Sequence, residues 1–271
     1  MHIQILGTAA AEAWPAVFCG CNTCVRARKS GGKDFRSRAS VQIDDIFKID
    51  LPPDTYHHSF RFNVDFANLK HLFITHSHDD HFQPTTLNYL KPPFAHDLRN
   101  APVHVYGNAD VIGTLETRGD IEKLPMRLVR AEPFVPIRAD HLTFTPILAH
   151  HQPNEQSLNY VIQSDSATVL YASDTGLYEQ PTMDHLAGYK FTLLIIECTQ
   201  GTLDMPSTWH MGLSGVLELR QRLIALGAAA IDTPTVITHF SHNMGLLHAE
   251  MEEIAAKQGI TVAYDGIELD A

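Results

Sequence analysis

The sequence predicts an α/β protein in which two β-sheets lie face to face with helices outside them. Three observations carry this expectation. Short β-rich runs recur along the chain, and helical patterns lie between or after some of them. Neither a low-complexity linker nor a repeat at a solenoid period divides the 271 residues. Strands that arrive in two groups, each followed by helices, are the pattern of two stacked sheets covered by helices. The chain therefore reads as one domain, residues 1–271.

Taken in order, the expected strands are His2 to Leu6, Ser40 to Ile43, Phe47 to Ile49, His71 to Thr75, Val103 to Tyr106, Leu142 to Ile147, Tyr160 to Gln163, Thr168 to Ala172, Leu193 to Ile196, Thr235 to Thr238 and Thr261 to Ala263. Asp97 to Pro136 is a long segment with a helical pattern of its own. Leu213, Val216, Leu217, Leu219, Leu223 and Leu226 form a largely buried stripe near helical spacing, and Leu246 to Lys257 forms another. Such leucine-rich stripes are core.

With 44% hydrophobic residues the chain can bury a large layered core. Asp and Glu outnumber Lys and Arg 31 to 20, a formal charge of −11. That balance argues against a general nucleic-acid surface or an anionic-membrane surface, which needs a basic face. It leaves room for a small anionic substrate, because metal dications in a cleft outweigh distant carboxylates. No apolar run approaches the ~20 residues of a membrane span. The N-terminus, Met1-His2-Ile3-Gln4-Ile5-Leu6-Gly7, reads as a strand and not as an export signal. The expected setting is cytoplasmic, and a homodimer is compatible with this surface.

Most informative is Thr75-His76-Ser77-His78-Asp79-Asp80-His81, an H-x-H-x-D-H run following the apolar Leu72-Phe73-Ile74. Three imidazoles and a carboxylate so close together cannot share one face of a helix or strand, but they can converge on a tight turn. His76 and His78 then reach one metal ion, while Asp80 and His81 reach a second. Imidazole and carboxylate suit borderline-hard divalent ions, and seventeen histidines fit metal chemistry. Other polar candidates also follow strands: His150 and His151, Asp174, and His239. Loops gather there at one edge of an α/β scaffold. Separately, Cys19-Gly20-Cys21-Asn22-Thr23-Cys24 places three cysteines too close for an ordinary disulfide framework, and a metal clip explains them better. Cys198, ending Ile195-Ile196-Glu197-Cys198, reads as a plain buried residue.

With these residues in view, the whole chain resembles the metallo-β-lactamase-fold hydrolases. The H-x-H-x-D-H run is followed in the expected order by His151, by Asp174 in Tyr171-Ala172-Ser173-Asp174-Thr175-Gly176, and by His239 in Ile237-Thr238-His239. The resemblance implies a four-layer αββα sandwich. It also implies that His76, His78 and His151 bind one metal, that Asp80, His81 and His239 bind the other, and that Asp174 bridges them. Two dications ~3.5–4 Å apart would share a hydroxide nucleophile. Neighbours on a strand point to opposite faces, so only one of His150 and His151 enters the site; the spacing from Thr145-Pro146 resembles the family pattern better for His151. Asp50 is placed to accept a hydrogen bond from a ligand imidazole. The residues after it, Leu51-Pro52-Pro53, depart from the family's usual Ala-Gly or Thr-Gly.

The cysteine cluster, with Thr238-His239-Phe240-Ser241-His242, the tail Tyr264-Asp265-Gly266-Ile267-Glu268 and Cys24-Val25-Arg26-Ala27-Arg28, resembles the PhnP-like phosphodiesterase branch of phosphonate breakdown. That resemblance implies a structural zinc on Cys19, Cys21, Cys24 and His242, two catalytic ions (manganese or zinc), and hydrolysis of a small, cyclic ribose type of phosphodiester. Asp80 and His210 are then the catalytic candidates, His210 in Ser207-Thr208-Trp209-His210-Met211 as general acid or phosphate contact. Three rivals stay open at this point: a lactone or thioester hydrolase using the same metals, a tRNA 3′-processing nuclease, which the −11 charge disfavours, and a non-catalytic metal-binding accessory protein like the homologue associated with quinone-cofactor synthesis. The segments Asp97 to Pro136 and His151 to Ser157 depart from the branch, so pocket shape is free to differ.

Overall fold

A computed structural model describes residues 1–118 and 121–271; Gly119 and Asp120, within the long Asp97 to Pro136 segment, lie outside the described residues. Two seven-stranded sheets are present among them. The first contains β1 (His2–Gly7), β2 (Ser40–Ile43), β3 (Phe47–Ile49), β4 (His71–Phe73), β5 (Val103–Gly107) and β6 (Met126–Arg130). The second contains β7 (Ile137–Ala139), β8 (Leu142–Leu148), β9 (Leu158–Gln163), β10 (Thr168–Ala172), β11 (Leu193–Glu197), β12 (Thr235–Thr238) and β13 (Ile260–Val262). The last strand, β14 (Ile267–Asp270), returns to the first sheet and pairs antiparallel with β1. Both sheets are mixed: β3 through β6 run parallel, as do β10 through β13, while the flanking strands pair antiparallel.

Alternation along the central strands decides the layering. In β11, Leu193 and Ile195 join the core between the sheets, together with Phe47, Phe73, Phe144 and Tyr160. Leu194 and Ile196 point the other way, into the core beneath the helices. Successive side chains leave opposite faces of a strand, so a run apolar at every position must be covered twice. The outer cover of the second sheet is α1 (Asn22–Ser30), α4 (Gln180–Leu186), α5 (Leu213–Ala225) and α6 (His248–Ala256). On the first sheet, Val111 and Leu115 of α3 (Ala109–Glu116) pack against Leu72, Val103 and Val105, and α2 (Thr55–Arg61) follows β3. The result is the four-layer αββα sandwich.

In α5 the buried positions are Leu213, Val216, Leu219 and Leu223, at helical spacing. Full burial of a leucine or valine contributes about 1.5–3 kcal/mol, and these four side chains hold α5 on its sheet. Leu217 is only partly buried and Leu226 is 39% exposed, which narrows the expected stripe. At about 100° per residue Leu217 turns off the buried face, and Leu226 already caps the helix. The Asp97 to Pro136 segment also differs from its helical expectation. Among the described residues it contains one α-helix, α3, and a single 3₁₀ turn, Ile121–Lys123, between two paired strands, β5 and β6. No helix among the described residues is long and apolar enough to cross a membrane.

Candidate metal centre

The polar residues of the H-x-H-x-D-H run follow β4, and their partners follow β8, β10 and β12. Parallel strands of both sheets end at one edge, so four loops meet there. Asp174 (φ 48°) and His239 (φ 58°) in these loops, and Asp50 (φ 62°) just after β3, adopt left-handed backbone conformations unusual for non-glycine residues. Such conformations cost about 1–3 kcal/mol each and cluster at functional sites.

Two overlapping groups of ligand atoms result. His76, His78, His151 and Asp174 form one, and Asp80, His81, Asp174 and His239 form the other; within each group the atoms lie within 4.8 Å of one another. In the first, His76 Nε2 is 2.9 Å from His78 Nδ1, which is 3.3 Å from His151 Nε2. In the second, Asp174 Oδ2 is 2.8 Å from His81 Nε2, and Asp174 Oδ1 is 2.6 Å from His239 Nε2. Asp174 is common to both. His150 stays outside: its Nδ1 donates to Leu177 O at 3.1 Å, fastening the loop after β8 to the loop after β10.

Every imidazole in the cluster has its outward nitrogen engaged. His81 Nδ1 donates to Asp50 Oδ2 at 2.7 Å, His76 Nδ1 to Thr75 Oγ1 at 2.9 Å, and His78 Nε2 to Gln152 Oε1 at 3.1 Å. His151 Nδ1 donates to Trp209 O at 3.2 Å and His239 Nδ1 to Thr199 Oγ1 at 2.8 Å. With the rings neutral, as a bound cation would make them, these bonds select the tautomers whose inward nitrogens carry lone pairs, as metal-binding histidines require. Conversely, His81 Nε2, His239 Nε2 and Asp174 Oδ1 are buried with no hydrogen-bond partner. Unsatisfied buried groups cost about 1–3 kcal/mol each, and a cation between them would remove that cost. Burial alone would push Asp174 up; the imidazoles of His239 and His81 hold it well below the ordinary carboxylate range. Burial pushes His151 down to about 4, favouring its neutral form. The donor set fits two divalent ions.

A residue the sequence reading passed over completes the site. Glu197, the last residue of β11, is fully buried and accepts from Thr175 N, Thr199 N, Thr199 Oγ1 and Met211 N. Its Oε1 also accepts from His210 Nδ1 at 2.8 Å. Burial opposes protonation of His210, but the Glu197 carboxylate outweighs it and raises the imidazole to about 9. His210 lines a cavity of about 330 Å³ with His78, Asp80, His151, Asp174 and His239. Its loop reaches there because Gly176 has no side chain: a Cβ at that position would lie 2.1 Å from Thr208 O.

Cys19, Cys21, Cys24 and His242 form a separate group within the same distance limit. His242 Nδ1 is 3.5 Å from Cys21 Sγ and 3.9 Å from Cys19 Sγ, and the thiols are not in disulfides. Cys21 caps α1, accepting from Cys24 N. That backbone donor, helped by Cys19 and His242 against burial, lowers its thiol to about 6, whereas burial raises Cys24 to about 11. Three sulfurs and an imidazole are a tetrahedral zinc donor set. Cys198 lies apart, fully buried.

Against known proteins, residues 49–240 match the family model of the beta-lactamase superfamily domain. No curated protein matches the chain in sequence. Among solved structures the chain is similar to a diphosphatase from the PhnP family, with a TM-score of 0.76 and 23% identity over 100% of this chain and 97% of that one. It is also similar to zinc-bound PqqB from Methylobacterium extorquens, with a TM-score of 0.77 and 15% identity over the full length of both. The short form of human tRNase Z follows at a TM-score of 0.67 and 16% identity, over 100% of this chain and 99% of that one. At these identities the structural likeness speaks for the fold. The family match, the stacked sheets and the ligand cluster at their shared edge agree, and the chain belongs to the beta-lactamase superfamily.

Proposed function

We propose that this protein is a two-metal hydrolase of small phosphodiesters. The observation that carries the reading is the seven-residue ligand cluster, with outward nitrogens satisfied and His81 Nε2, His239 Nε2 and Asp174 Oδ1 buried without partners. His76, His78 and His151 would hold one ion and Asp80, His81 and His239 the other, with Asp174 shared. When bound, such a pair supplies Lewis acidity toward the phosphoryl oxygens and activates water at neutral pH. The chain's own part is to fix that geometry and to handle the leaving group.

His210 suits the second task. Its Nδ1 proton is committed to Glu197, so Nε2 is the nitrogen available to the cavity. An imidazole raised to about 9 is protonated at neutral pH and can give that proton to a departing alkoxide, a contribution typically of about 10²–10⁴-fold. Cys19, Cys21, Cys24 and His242 would hold a structural zinc that ties the N-terminal loop to the loop carrying His239. The formal charge of −11 supports a small anionic diester over a nucleic-acid polymer, and the unpaired thiols support a cytoplasmic setting. The diphosphatase and tRNase Z names among the similar structures support phosphoryl chemistry.

The test is hydrolysis of bis(p-nitrophenyl) phosphate by protein loaded with manganese or zinc, run beside a lactone and a thioester. Diester turnover lost with chelator and restored by metal is the expected result. Rapid lactone opening without diester turnover would move the protein to acyl chemistry, and no turnover of any ester by fully loaded protein would make it a binding protein.

A further inference from the structure

A second cavity, of about 320 Å³, adjoins the metal centre and shares His151 with it. Its walls include Leu148, Pro153, Pro181 and Trp209, and the Trp209 side chain is 57% exposed. Apolar and aromatic surfaces beside a reacting centre are suited to an organic group, and this volume lies at the lower end of the range for small-molecule sites. The cavity is also tied to the ligands it adjoins. Trp209 O holds His151 Nδ1, and Gln152 bridges His78 Nε2 to Glu155 Oε2.

The charge of its lining is the decisive property. Glu155 and Glu179 line this cavity, and Glu12 lines the neighbouring one. Glu155 is occupied by Ser77, Asn108 and Gln152. Glu179 is exposed, and its carboxylate has no hydrogen-bond or ion-pair partner among the described residues. Among the described residues neither cavity is lined by a Lys or Arg; histidines are the basic side chains present. A site built for a second phosphate would present arginine or lysine there. Here a second anion would meet an unpaired carboxylate instead.

We infer that the cavity beside His151 receives the non-reacting part of the substrate and selects an uncharged or cationic organic group, rejecting one that bears a second phosphate. Glu179 is the specificity residue. The inference rests on the diesterase reading, naming the class of diester that the site takes.

The test compares thymidine 5′-(p-nitrophenyl phosphate) with the same compound carrying a 3′-phosphate, on manganese-loaded protein at low ionic strength. Both release p-nitrophenolate, so they differ only in the added dianion. The expected kcat/KM is roughly tenfold or more lower for the 3′-phosphate compound, the size of effect that like-charge juxtaposition produces. Glu179→Lys should shrink that ratio by about fivefold, and Glu179→Gln should shrink it less, in the same direction. The ratio is taken within each variant, so a general loss of activity cancels, and the Gln variant guards against disruption of α4 by Lys. Calorimetric binding of the two compounds should follow the same order whether or not they turn over. Bis(p-nitrophenyl) phosphate separates the two ideas: its failure to react, with the binding order intact, removes the diesterase reading and leaves the cavity assignment standing. Equal or better kcat/KM and binding for the 3′-phosphate compound, or ratios that ignore residue 179, would overturn the inference.

Discussion

His210 donates from Nδ1 to Glu197 Oε1 at 2.8 Å, while the other oxygen of Glu197 accepts at 2.7 Å from Thr199, whose hydroxyl oxygen takes the Nδ1 proton of His239. One buried carboxylate thus sets the orientation of the candidate proton donor and of a candidate metal ligand. Asp50 does the same across the site, reaching His81 directly and His76 through Thr75. This shared anchoring makes the two carboxylates separable from the ligands by experiment.

His210→Ala should slow diesters with alkoxide leaving groups by about 10²–10⁴-fold and nitrophenyl esters far less, because nitrophenolate departs without a proton. Parallel rate measurements on the two substrate types check this. Equal losses would assign His210 to positioning.

Glu197→Gln removes the charge that raises His210. In the wild type, proton donation should fail on the alkaline side, where His210, held up by Glu197, finally deprotonates. In the variant that alkaline limb should move to lower pH. The pH profile of kcat on an alkoxide-leaving diester reads the shift. Stability should also fall by about 1–3 kcal/mol, since an amide cannot accept from all the donors gathered there.

Asp50→Asn should weaken metal affinity by about 10–100-fold, the usual effect of losing an outer carboxylate on a ligand imidazole. Competition with a chromophoric chelator measures it. Unchanged affinity would show that Asp50 serves only the backbone of Thr75.

Elemental analysis of native protein should find three metals per chain. Cys21→Ser should lose one and lower Tm, because a structural zinc contributes folding free energy, whereas Asp80→Ala should abolish turnover with the fold retained. A single tightly held metal, or two variants with unaltered Tm and equal loss of activity, would reassign the cysteine cluster.

Lys48 offers a stability test away from the metals. It is fully buried, its Nζ bonded to Ser40 Oγ and 5.0 Å from the Phe66 ring centroid, and burial lowers it to about 7 despite Asp50. Between about pH 7 and about 10.4, its unfolded value, the unfolded chain binds the extra proton. Stability should therefore rise with pH there, by up to about 1.4 kcal/mol per unit, with this contribution constant below the window. Lys48→Met should flatten that component in denaturant titrations at several pH values.

The central strands and the ligand run were legible because local pattern and tertiary role coincide in them. Apolar runs such as Leu193 to Ile196 are buried on both sides, and the H-x-H-x-D-H spacing brings its side chains together on one turn. What escaped had weaker local signals. β6 alternates partly exposed residues with arginines at a sheet edge, and β7 and β14 are short edge strands. Glu197 read as an interruption between Ile196 and Cys198. A carboxylate at the end of a strand buried on both faces must have donors waiting for it, and that rule could have found it. The outward partners of His78 and His151, Gln152 and Trp209 O, depend on loops from distant strands, which no local pattern encodes.

The ligand groups at this sheet edge share one topological property. The cysteine group joins residues 19–24 to His242, and the paired clusters join residues 76–81 to His239. Both are completed within four residues of each other, late in the chain. During synthesis, a nascent chain that has not yet reached His239 contains neither group whole. β12 with the loop after it is thus the element that closes both groups at once, and any ion that needs the full donor sets would have to wait for it.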